Sequence, residues 1–172
     1  MKNILILCFI FLFTAFLSAQ TADKLEELLA SPVINYEQAA WLALEAADIW
    51  DVSGKEAAPD SWESFVVAGE QQWLPAGTES TDNARLDTVS MLLMRSFGLK
   101  GGLFYSLLPN PHYAYRELVY RGIIQGRADP AMDVSGSMMV FMVNGILAGL
   151  ETGDWSPVIS VKPRGLINKT EN

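Results

Sequence analysis

Three apolar stretches of this chain open at one interval. Asn35, Arg85 and Ser135 each stand at the start of a helical pattern, and successive members lie 50 residues apart. The register continues inside the helices: Ala39 matches Val89 and Met139, Leu42 matches Leu92 and Met142, and Ala47 matches Phe97 and Leu147. The preceding helices agree for the last two units, since Trp73-Leu74 falls 50 residues before Ile123-Ile124 and Trp62 falls 50 before His112. The first unit is abbreviated, with only Lys24 to Ala30 as its leading helix. A helix–loop–helix pair of this size cannot bury its own apolar face, whereas three stacked pairs share one. The interval predicts a mainly α fold over residues 20–150: a helical bundle of three helix-loop-helix repeats in a pseudo-three-fold arrangement.

Local signals place the helices. Asn35 and Gln38 have capping-box spacing ahead of a helix from Tyr36 to about Ile49. Asp60 or Ser61 caps the next, with Trp62, Phe65, Val66, Gly69 and Trp73 on one face and Pro75 and Gly77 ending it. Leu86, Val89, Leu92, Leu93 and Phe97 mark a further helix, broken by Gly98, Gly101 and Gly102. Leu103 to Leu108 reads as a buried turn or short helix. Pro109-Asn110-Pro111 then punctuates the chain before a helix from Tyr113 to Arg121. Ser135 caps a last helix to about Leu150, apolar nearly all round and therefore expected at the centre of the core. Its methionines fit flexible core filling better than a metal box. Beyond it, residues 151–172 alternate and carry prolines, so they read as an extended tail. Trp155, Val158 and Ile159 are its candidate partner-binding residues, either packing along the bundle or adding a strand to a partner.

The first residues behave differently. Lys2 precedes an apolar run from Ile4 to Leu17, and Leu17-Ser18-Ala19 offers a small residue for cleavage, which describes a signal peptide over residues 1–19. An exported product, in the periplasm or cell envelope, is the expectation. Cys8 is the chain's single cysteine and lies inside this leader, so residues 20–172 contain none and rely on their apolar core rather than on disulfides. No later apolar run is long enough for a transmembrane segment.

Composition narrows the chemistry. Twelve Lys and Arg against 20 Asp and Glu give a net charge of −8, which argues against a nucleic-acid partner, because phosphate tracking needs a basic footprint. One His and one Cys leave little for a zinc site or a Cys–His nucleophile. Asp129 with Asp133, and Asp82, Asn83 and Asp87, lack the ligand spacing of a calcium loop and read as turn and cap carboxylates; neither a metal nor a cofactor is expected. His112 has no orienting partner in the sequence and reads as a cap or core residue. The glycines at 98, 101 and 102 follow a helix rather than open one, the wrong polarity for holding phosphate.

His112-Tyr113-Ala114-Tyr115-Arg116-Glu117-Leu118, Arg121-Gly122-Ile123-Ile124-Gln125-Gly126, Asp129 and the Val134-Ser135 helix start together resemble one S-layer homology module. Trp73-Leu74-Pro75-Ala76-Gly77 through Arg95-Ser96-Phe97-Gly98 is similar to a weaker copy, and Tyr36 to Ala47 to the second helix of another. The resemblance implies a three-fold bundle that binds a cell-wall polysaccharide, often one carrying acidic pyruvyl groups, through a Thr-Arg pair opening each second helix. This chain has Asn35-Tyr36, Arg85-Leu86 and Ser135-Gly136 at those places, so the family's arginine is missing from all three. Asn35, Arg85 and Ser135 remain the candidate ligand-binding residues, with helix capping as the competing role. The reading is a non-catalytic envelope binding or scaffolding protein whose partner is an envelope protein or a glycan. Two alternatives stand beside it: a periplasmic glycan hydrolase working through carboxylates, and an accessory factor for outer-membrane protein assembly.

Overall fold

The structure, a computed structural model, describes residues 22–49, 60–126, 128–153 and 155. The leader at 1–19 with Cys8, the connection at 50–59, and Val158 and Ile159 of the tail lie outside them. The described residues form a mainly helical bundle: α1 (22–30), α2 (Tyr36–Ala46), α3 (Ser61–Glu70), α4 (Leu86–Ser96), α5 (Leu103–Leu107), α6 (Pro111–Tyr120) and α7 (Gly136–Thr152). No helix among them is long and apolar enough to cross a membrane.

Helices α2, α3, α6 and α7 start where a side chain satisfies one of their free N–H groups. Asn35 accepts from the Gln38 N–H while the Gln38 side chain accepts from the Asn35 N–H, a complete capping box on α2. Asp60 and Asn110 cap α3 and α6 in the same way, each accepting from the residue three places on. Asn110-Pro111 is therefore a helix start rather than punctuation: proline at the first helical position has no N–H to leave unpaired. At the other end, α2 stops at Ala46 rather than near Ile49, with Asp48 turning the chain at φ 54° as Gly98 does after α4 at φ 59°.

The core lies between α2 and α4. Every residue from Ala39 to Leu44 and from Thr88 to Met94 is buried, and α7 adds Met139, Met142, Val143 and Ile146. The matched positions Ala39, Val89 and Met139 are all fully buried, as are Leu92 and Met142, with Leu42 nearly so. Two expectations fail here. Helix α7 is not the centre of the core, because Leu147 and Leu150 face solvent and only one side is enclosed. Helix α3 is rotated from its expected phase: Ser64, Val67 and Ala68 face inward, while Trp62 is exposed and tilts against Phe65. Small side chains let α3 approach α2 closely, which leaves the large aromatics at the margin of the contact.

Candidate functional site

The residues just before α2, α4 and α7 meet. Ile34 N–H donates to the Val134 carbonyl at 2.9 Å, Val134 N–H to Ala84 at 2.9 Å, and Ala84 N–H to Ile34 at 2.8 Å, closing a ring of three hydrogen bonds. All three residues are fully buried, so each would carry an unpaired peptide group without the other two. Around this ring, the first N–H of each helix bonds a neighbouring loop: Tyr36 to Asp82 at 3.2 Å, Leu86 to Met132 at 2.9 Å, and Gly136 to Ser31 at 3.0 Å. The second N–H continues the pattern in two cases, from Glu37 to Ser80 and from Asp87 to Pro130. The three residues of the ring lie 50 positions apart in sequence. Side chains follow that interval as well, since Asn83 Nδ2 donates to Asp133 Oδ2 at 3.0 Å.

Asn35, Arg85 and Ser135 each sit one residue beyond the ring as N-caps, so the structure brings their backbones round one centre. Their side chains are engaged locally. Asn35 serves the capping box. Ser135 accepts from the Met138 N–H at 3.2 Å and shares a bond with Ser137 Oγ at 3.1 Å. Arg85 makes no cap bond; its guanidinium is half-exposed and pairs with Asp87 at 2.9 Å, which holds its pKa above the ordinary value. Tyr36, at one of the three positions where the resembled family has arginine, accepts from the Arg85 N–H through its hydroxyl at 3.3 Å.

Of the three, Asn35 lines a cleft. A space of about 250 Å³ opens between α1 and the starts of α2 and α3, bordered by Lys24, Glu27, Asn35, Gln38, Trp41 and Ser61. Lys24 Nζ rests 5.5 Å from the Trp41 ring centroid, a cation held over an aromatic face. Glu45, below Lys24 on α2, is pushed above the ordinary carboxylate range by burial, and the lysine charge draws it part of the way back. The cleft offers amides, a hydroxyl, carboxylates and one cation to a polar ligand. Lys24 and Trp41 escaped the sequence reading, because nothing in the order of residues announces that α1 lies across α2.

Asp129 accepts from the Ala131 N–H and Asp133 from Asn83, and among the described residues no group of three His, Cys, Asp or Glu converges on a point. His112 is exposed at the start of α6 and packs edge-on to Tyr113. Trp155 is partly buried against the bundle: its ring lies over Gly149 and under the Arg121 guanidinium, 4.2 Å from the ring centroid. A glycine at 149 allows that contact, since a Cβ there would fall 2.5 Å from the indole. No family model, no curated protein and no solved structure matches this chain.

Proposed function

We propose that this chain is a non-catalytic binding or scaffolding protein of the cell envelope, exported by its leader and built from three degenerate S-layer-homology-like units related by a pseudo-three-fold axis. The closed ring of Ile34, Ala84 and Val134 carries this reading: residues 50 apart perform one structural task in rotation. Equivalent caps at Asp60 and Asn110, and left-handed residues at Gln72 and Gly122, support the same relation between the second and third units. The partner is a glycan or an envelope protein. The three positions that would hold arginine are Tyr36, Leu86 and Gly136, all buried, so the groups available to a ligand are the amides, the Ser61 hydroxyl and Lys24 of the cleft at Asn35. These suit hydroxyl-rich sugars better than strongly acidic ones.

Co-sedimentation with purified cell-wall material tests the glycan arm. Enrichment over a control protein, reduced by Lys24→Ala, is the expected result. Sedimentation no greater than the control overturns glycan binding, and a cross-linking pull-down from intact cells that returns no envelope protein overturns the remainder.

A further inference from the structure

The chain carries a second distinctive surface away from the cleft. Helix α5 was expected to be buried, yet Leu103, Phe104, Leu107 and Leu108 are 70%, 61%, 68% and 61% exposed. Tyr105 alone is buried, its ring set against Gly101, and burial raises its phenol pKa while Arg95 nearby lowers it. Phe104 stacks on Tyr113 of α6 with ring centroids 5.8 Å apart. Tyr120, one further pair of turns along that helix, is 89% exposed. A single anchored tyrosine thus holds a short helix so that its aliphatic side chains project outward.

Charge separates this region from the rest of the molecule. Residues 88–128 contain Arg95, Lys100, Arg116, Arg121 and Arg127 but one carboxylate, Glu117, in a chain whose net charge is −8. Arg95, Lys100 and Arg116 are exposed, while the Glu117 carboxylate lies against Gly102 at the start of α5. Lys100 precedes it by three residues, Arg95 lies close to Tyr105, and Arg116 follows Tyr113 by one turn of α6. Exposed apolar side chains in a stretch where cations outnumber carboxylates, with tyrosine at the margin, fit the boundary between lipid headgroups and acyl chains. Within α5, Ser106 N–H bonds the Gly102 carbonyl and Leu108 N–H that of Phe104.

We propose that α5 and the outer face of α6 form a peripheral membrane contact, with Leu103, Phe104, Leu107 and Leu108 entering the headgroup boundary of a bilayer containing anionic phospholipid. The contact is superficial and does not span. Its logic is independent of the glycan reading and uses a different face. Apolar burial supplies the hold, and Arg95, Lys100 and Arg116 select for negative headgroups, each contributing about fivefold in affinity near such a surface at low salt.

Cys8 being the chain's single cysteine, a Cys8→Ser background accepts one environment-sensitive fluorophore at a chosen cysteine. The full chain labelled at Leu107→Cys is compared with the same chain labelled at the exposed Glu79→Cys, on phosphatidylcholine vesicles with and without phosphatidylglycerol. The expected result is a blue-shifted, brighter emission at 107 on the phosphatidylglycerol vesicles and an unchanged emission at 79, so that leader binding elsewhere is told apart from α5 insertion. Adding Lys100→Glu and Arg116→Glu to the 107-labelled chain weakens that response about twentyfold or more. An unchanged emission at 107 overturns the proposal, as does an equal change at both labels. A shift at 107 that grows with protein concentration and needs no vesicles assigns the patch to a second copy of the chain and also overturns it.

Discussion

Replacing Gly136 by alanine tests how the two ends of the bundle are joined. Gly136 opens α7, and its α-carbon lies so close to α1 that a Cβ would fall 1.6 Å from the Leu28 carbonyl oxygen and 2.5 Å from its carbon. Both clashing atoms are backbone, so no rotamer change relieves them; α1 must retreat from α7 by more than an ångström. Two contacts depend on that approach. Leu28 is buried to within 2% of full enclosure, and the Gly136 N–H bonds the Ser31 carbonyl at 3.0 Å. Losing the leucine's burial costs about 2 kcal/mol and the hydrogen bond about 1, so Gly136→Ala destabilises by about 3 kcal/mol. For a domain of this size that lowers Tm by about 6–12 °C. Urea unfolding followed by circular dichroism reads the loss directly, as a lower midpoint at an unchanged slope. Gly69→Ala is the control: it lies on the exposed side of α3 with nothing within 4 Å of the added carbon, and gains up to about 1 kcal/mol of helix preference. Equal stability of Gly136→Ala and the parent chain refutes the close docking of α1 on α7. Destabilisation of Gly69→Ala to the same degree would mean that the losses do not come from the clash.

Further expectations follow from the caps, the core and a titrating group. Asn35→Ala removes the half of the capping box that its side chain makes, leaves the residue 35 N–H to Gln38, and costs about 1 kcal/mol, whereas Arg85→Ser supplies the cap bond that α4 lacks and gains up to about 1 kcal/mol, both read as shifts in the urea midpoint. Ile146→Ala on the enclosed side of α7 costs about 2–5 kcal/mol, while Leu147→Ala next to it on the solvent side stays within about 1. Glu45 has its pKa raised in the folded state, so the native protein binds its proton more tightly than the unfolded chain does, and stability falls as pH rises through that range. Glu45→Gln is therefore more stable than the parent at neutral pH, and the difference disappears on acidification below the ordinary carboxylate range; a difference independent of pH would show that the group's charge is not its cause.

Much of the helical framework was legible because its signals are local. The Asn35–Gln38 pair announces the start of α2, and Ser135 that of α7, since a cap satisfies N–H groups within the next turn and needs no distant partner. The interval joining Asn35, Arg85 and Ser135 was visible for a similar reason: an identical spacing repeats whatever the intervening chain does. Phase was harder. Trp62 and Leu150 look like core residues by hydrophobicity, yet both face solvent, because the inward side of a helix is set by what packs against it. The close approach of α3 to α2 is won by Ser64 and Ala68, whose small size carries no strong signal in a sequence.

The order of residues by itself determined that this chain is helical, where most of its helices begin, and that its charge is acidic with a basic stretch between residues 88 and 128. Only the tertiary structure decided that Ile34, Ala84 and Val134 exchange backbone hydrogen bonds in a ring, that Lys24 lies over Trp41, and that α5 turns its leucines outward. A cap or a periodic stripe is fixed by neighbours a turn away, whereas a ring, a cleft and an exposed face depend on segments tens of residues apart meeting in space.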